Sequence, residues 1–175
     1  MTKSILRKYA KLIVQMGVNI KKGQGAVILA DTAQSEIALM VAEEAYRAGA
    51  KWVDIRWTNQ DLDKMRYKKE SVKVLSATQE WEKARMQYEL DELPVRIWID
   101  SDDPDGLKGV NVEKMQKANL ARMKVRKPYR DAMENKYQWT IVAVPSAKWA
   151  KKVFPNDRTS VAVKKLWDAI LQTVR

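Results

Sequence analysis

The sequence predicts an α/β fold, a three-layer α/β/α sandwich on a mainly parallel sheet of about four strands. Three observations predict it. Short, strand-length apolar segments recur at residues 26–30, 52–57, 95–100 and 138–144. Between and after them the apolar residues fall at helical spacing. No Pro/Ser-rich linker, internal repeat or low-complexity tract interrupts the pattern, so residues 1–175 read as a single α/β domain. Strands that alternate with helices pair in parallel through right-handed crossovers.

In residues 4–17, Ile5, Leu6, Tyr9, Ile13 and Met16 share a helical face, and Gly17 is a stop. Residues 19–25 form a turn. Residues 26–30 are continuously apolar, as in a strand buried on both faces. Asp31-Thr32 ends that strand and offers an N-cap to a helix carrying Ile37, Met40, Val41, Ala45 and Ala48, which Gly49 terminates. In residues 52–57, Val53, Ile55 and Trp57 alternate with Trp52, Asp54 and Arg56, the pattern of an outer strand wet on one side.

Two polar helices follow. In residues 60–75 the apolar contacts are Leu62, Met65, Val72 and Leu75; in residues 78–92 they are Trp81, Ala84 and Tyr88. A third strand at 95–100 leads into the turn Ser101-Asp102-Asp103-Pro104-Asp105-Gly106. The helix over 111–135 keeps Met115, Ala118, Ala121, Val125, Tyr129 and Ala132 on one face, and Pro128 predicts a kink near residue 124 or two abutting helices. Residues 138–144 form a fourth, nearly all-apolar strand. A short helix with Trp149, Ala150 and Val153 precedes a final amphipathic one striped by Val163, Leu166, Trp167, Ile170, Leu171 and Val174. The apolar runs place strands one and four at the centre of the sheet, whereas doubly wound precedent favours the order 2-1-3-4.

The chain has no histidine and no cysteine. Cys/His zinc sites, Ser-His-Asp triads, Cys-His dyads and disulfides are therefore excluded. Zero cysteine fits a reducing compartment and a cytoplasmic location. No stretch approaches a membrane span, so no membrane partner is expected. The net charge of +11 raises the question of an anionic partner. Residues 111–136 hold eight basic and three acidic residues, but Lys114, Lys117, Arg122, Lys124, Arg126, Lys127 and Arg130 spread almost all round a helix. A phosphate-binding stripe would cluster them, so a solvated surface is preferred to nucleic acid.

Ligands of open parallel sheets sit beyond the carboxyl ends of the strands. The cleft-rim candidates there are Asp31, Trp57, Asp100, Asp102 and Ser146. The acids between Asp100 and Asp105 could hold a divalent cation, but they lack the spacing of an EF-hand and read first as turn and cap acceptors. Gly23 and Gly25 precede the first strand, where a dinucleotide fingerprint needs glycines after it. Trp149 and Trp167 read as core; Trp52, Trp98 and Trp139 read as packed under helices or as stacking platforms. No catalytic or metal-binding residue is assigned.

Several stretches together resemble one family. They are Lys8-Tyr9-Ala10, Gly17-Val18-Asn19-Ile20-Lys21-Lys22-Gly23-Gln24, Glu44-Ala45-Tyr46-Arg47-Ala48-Gly49-Ala50-Lys51 and Asp103-Pro104-Asp105. Gln138-Trp139-Thr140-Ile141-Val142-Ala143-Val144-Pro145, Trp149-Ala150-Lys151-Lys152-Val153-Phe154-Pro155 and Leu166-Trp167 complete the set. In order and spacing they resemble the amino-terminal domain of the aminopeptidase T/aminopeptidase S metallo-aminopeptidases. Gly25, Gly106 and Asn111-Val112 depart from the usual pattern. The resemblance implies a second domain with two divalent metals, zinc or cobalt, bound by carboxylates and histidines; no cofactor is expected in this chain. It implies a non-catalytic domain that helps to wall the substrate cleft and docks on a missing carboxyl-terminal catalytic domain. The exposed interface could drive homo-association. The alternative is a stand-alone basic module that binds nucleic acid or acidic proteins.

Overall fold

The computed structural model describes residues 1–174. Four parallel strands form one sheet in the order β2-β1-β3-β4. They are β1 (Gly25–Asp31), β2 (Trp52–Thr58), β3 (Val95–Asp100) and β4 (Trp139–Ala143). The helices are α1 (Lys3–Leu12), extended by a π turn over Ile13–Gly17, α2 (Ser35–Arg47), α3 (Gln60–Lys69), α4 (Val72–Ser76), α5 (Glu80–Glu92), α6 (Val112–Met133), α7 (Ala147–Val153) and α8 (Thr159–Thr173). Because β2 and β4 lie on opposite sides of the β1–β3 pair, right-handed crossovers place α2 on one face and α6 on the other.

The main core lies on the α1/α2/α8 face. In register, Ala26 faces Val53 and Val95, Ile28 faces Ile55 and Ile97, and Ala30 faces Ile99. These side chains pack with Leu6, Ile13, Val14, Ile37, Val41 and Trp167. Tyr9 meets Trp167 edge to face with ring centroids 5.8 Å apart. Its hydroxyl donates to the Ala143 carbonyl at 3.1 Å, tying α1 to the end of β4. Val27 and the glycine at 25 are buried on the opposite face, where a Cβ on Gly25 would collide with the Trp52 indole.

Five expectations are corrected. The fourth strand is an edge, not central: Trp139 is 58% and Ile141 61% exposed. Residues 60–75 form two helices, α3 and α4, and Leu62, Met65 and Val72 face solvent while Leu75 alone of the four is buried. On α5 the polarity is inverted. Trp81 and Tyr88 are exposed, and Glu82 and Glu89, seven residues apart on one helical face, point inward. Arginines on the sheet and on α6 neutralise them. The helix through Pro128 is one uninterrupted helix and not two abutting ones. At the first helix Ile5 and Met16 also turn outward. The π turn shifts the helical phase so that Val14, and not Met16, joins Ile13 in the core.

Candidate functional site

The carboxyl ends of the strands form a polar rim, and short side-chain hydrogen bonds fix it. Asp31 ends β1, and its Oδ1 accepts the backbone N–H of Ala33 at 2.8 Å. Across the crevice, the Asn59 amide donates to Thr32 Oγ1 at 3.1 Å and its Oδ1 caps α3 by accepting from the Leu62 N–H at 2.9 Å. Gln60 locks the loop after β3. Its Nε2 donates to the Asp103 carbonyl and its Oε1 accepts the Asp103 N–H, both at 3.0 Å. Gly106 leaves room for this amide, because a Cβ there would displace the Gln60 side chain from the Asp103 backbone. Ser146 caps α7, accepting from the Trp149 N–H at 3.2 Å.

Three cavities meet at this rim, and Asp102 lines all of them. One, of about 420 Å³, lies between Asp31, Gln60, Asp103 and Ser146. A second, of about 460 Å³, runs past Asp63 and Tyr67 toward Arg122 on α6. The third is an apolar groove of about 490 Å³ across the open half of the sheet, floored by Leu29, Trp98, Trp139 and Ile141. Trp98 and Trp139 meet edge to face there, 6.3 Å between centroids.

The rim is acidic. Partial burial raises the Asp102 pKa, and Asp100, Asp31 and Asp63 add to the rise through like-charge repulsion. Burial also raises the Asp63 pKa; Arg66 opposes this and Asp31 reinforces it. Lys148 supplies the counter-charge nearby, 3.5 Å from Asp61 and 3.9 Å from Asp103. Such a rim attracts cationic groups and accepts hydrogen bonds.

It does not fit a dinuclear metal centre. Asp31 and Asp100 each accept a backbone N–H two residues on, as does Asp103 from Asp105. Among the described residues, no three carboxylates converge as metal ligands would. Asp100 and Asp103 thus cap the 100–105 turn itself and Asp105 pairs with Lys152, while the following helix is capped by Asn111, whose Oδ1 accepts the Lys114 N–H at 2.9 Å. No metal-dependent step is derived from these residues.

Of the residues picked out by sequence, Asp31, Asp102 and Ser146 share one cavity, and Asp100 joins Asp102 in the apolar groove. Trp57 stands apart, exposed on β2 and lining none of the three. Sequence reading missed Gln60 and Asp63, which sit on the first turn of α3. Their signal was the Asn59 N-cap, which places that turn beside the strand ends.

A family model described as thermophilic metalloprotease (M29) matches residues 2–175. Aminopeptidase PepS of Streptococcus thermophilus is 34% identical over 175 residues, covering 99% of this chain and 42% of that protein. Aminopeptidase T of Thermus thermophilus is 32% identical over 171 residues, covering 97% of this chain and 42% of that protein. A solved structure of wild-type AmpT from Thermus thermophilus superposes with a TM-score of 0.83 at 30% identity, covering 97% of this chain and 43% of that one. The chain therefore spans about two-fifths of the length of the relatives it matches.

Proposed function

The chain belongs to the thermophilic metalloprotease (M29) family, and from that membership we propose that it is the non-catalytic amino-terminal domain of a metal-dependent aminopeptidase. In this reading it walls part of the substrate cleft and docks on a metal-bearing domain that supplies the chemistry. One observation carries it: the match runs from end to end of the chain yet covers only 42% of the relatives. The metals that the family implies, zinc or cobalt, would lie in the other domain. A cytoplasmic location belongs to the same proposal.

The surface supports docking. β4 is an edge strand with no Lys, Pro or other charged guard residue, and it presents Trp139 and Ile141 beside the apolar groove. Natural edges left in that state are normally covered. The cover in this reading is the catalytic domain; a second copy of the chain is the fallback when that domain is missing.

The test is to mix the chain with the part of Thermus thermophilus aminopeptidase T that it does not match. Association and hydrolysis of a leucyl anilide are then measured. The reading predicts a complex that turns over substrate, and an Ile141→Lys variant that folds normally but associates at least about tenfold more weakly. A chain that stays monomeric and ignores that partner at high concentration contradicts the docking half of the proposal.

A further inference from the structure

Between the sheet and helices α5 and α6 lies a cleft of about 350 Å³ that shares Arg126 with the second rim cavity and Leu29 and Trp98 with the apolar groove but is lined by none of the rim carboxylates. Arg56, Arg85, Arg96, Arg126 and Arg130 face it, against only Glu82 and Glu89. Both glutamates are already occupied. Glu89 accepts Arg56 on one oxygen and Arg96 on the other. Glu82 accepts Arg122 on Oε1 and the Gln79 backbone N–H on Oε2 at 2.9 Å. At the margin, Asp54 pairs with Arg56 at 2.9 Å and Asp131 lies 3.6 Å from Arg130.

That pairing leaves Arg85 and Arg126 over. Arg85 approaches Glu89 to 3.9 Å and Arg126 approaches Glu82 to 3.8 Å, each at an oxygen that another arginine holds more closely. The Nε atoms of Arg85 and Arg96 are buried with no hydrogen-bond partner among the described residues. Burial lowers the Arg126 pKa, and repulsion from Arg122 and Arg85 lowers it further against the pull of Glu82. The cleft therefore holds more donors and more positive charge than its own carboxylates satisfy. Guanidinium forks match tetrahedral oxyanions, which can bridge two of them.

We propose that Arg85 and Arg126 form an anion site between α5 and α6 that takes a phosphate dianion, either free or as the head of a small phosphomonoester. The cleft is larger than a phosphate ion, and Trp98 and Tyr129 on its wall would pack against an ester's organic part. The site does not rest on the aminopeptidase reading: Arg126 also lines the second rim cavity and Trp98 also floors the apolar groove, but neither proposed anion ligand is a rim carboxylate or a residue of β4.

The test titrates inorganic phosphate into the full 175-residue chain, with ionic strength held constant by sodium chloride, followed by calorimetry and thermal unfolding. The expected result is one site per chain with a Kd of about 1 mM or tighter, displaced by sulfate and not by chloride. Arg85→Gln and Arg126→Gln should each weaken binding about tenfold or more, while Lys68→Gln on α3 leaves it unchanged. Without phosphate, Arg126→Gln should unfold at the same temperature as the parent or higher, because it removes an unneutralised charge. If either variant fails to fold, the other and the sulfate competition still decide. Tighter binding of phenyl phosphate assigns an ester, and equal binding assigns the free ion. A phosphate-induced stabilisation that survives both arginine variants would come from general exclusion of phosphate from the surface and overturns the site. Equal loss in Lys68→Gln would reduce the effect to net charge and overturns it as well.

Discussion

Replacing Glu89 by Gln probes the way this fold holds its second layer of helices. Glu89 is 3% exposed and sits between Arg56 of β2 and Arg96 of β3, so one carboxylate joins α5 to two strands across β1. Glutamine keeps the shape and two polar atoms but removes the charge. Of the two guanidinium groups, whose side chains are only 20% and 21% exposed, Arg96 then loses its only carboxylate among the described residues and Arg56 keeps only Asp54 at 2.9 Å. Removing one member of a buried ion pair costs about 3–5 kcal/mol. The partial exposure of both arginines puts the expected loss at the lower end, about 3 kcal/mol. For a chain of this size that is a fall in Tm of about 6–12 °C. Urea unfolding followed by far-UV circular dichroism reads it as a lower midpoint at unchanged slope. The triple replacement Glu89→Leu, Arg56→Met and Arg96→Met should recover much of the loss, because the buried carboxylate leaves together with its two nearest guanidinium partners. A Glu89→Gln loss under about 1 kcal/mol would place this pair with solvent-screened surface bridges and refute the reasoning.

Burial and charge carry three further predictions. Ile97→Ala, at the fully buried centre of the sheet, should cost roughly 2–5 kcal/mol, whereas Ile141→Ala on the exposed edge should stay within about 0.5 kcal/mol; similar losses at both sites would mean that the edge is covered in solution. Asp102 has a folded-state pKa raised above its ordinary 3.8, so its ionised form weakens the fold at neutral pH and acidification relieves that. Asp102→Asn should therefore stabilise at pH 7, with the gain fading as pH falls through the raised pKa and gone below about pH 3.8; a gain independent of pH counts against the repulsion. Glu82 runs the other way. Burial raises its pKa, but the Gln79 N–H, Arg122 and Arg126 outweigh that and hold it below 4.5. Its contribution is present above the unfolded value and is lost as pH falls through the folded one, so Glu82→Gln should destabilise most at neutral pH and least in acid.

The sheet and its crossovers were legible because period-two and period-3.6 patterns report which face is dry. Strand β1 reads as apolar and is buried, and the wet alternation of β2 marks it as an edge. The same logic misread β4. An apolar strand buried in a core and one exposed at a sheet edge can carry the same residues, so Trp139 and Ile141 looked central. The α5 face was hidden for a different reason. Its buried side is charged, and only the Arg56, Arg96 and Arg122 contacts make that affordable. The signal was two glutamates two helical turns apart, set against arginines inside strands, where a lone arginine is unusual. At the strand ends, Asp31, Asp102 and Ser146 share one cavity, whereas Trp57 lines none of the three although its neighbour Thr58 lines two.

The most direct measurement is leucyl-anilide hydrolysis by the purified 175-residue chain with zinc or cobalt added. The account predicts no turnover above the metal-only background and no tightly held ion, because no three carboxylates among the described residues converge as metal ligands would and the proposed reading puts the reaction centre elsewhere. Sustained, chelator-sensitive turnover that Asp102→Ala abolishes would show that this chain carries the chemistry itself.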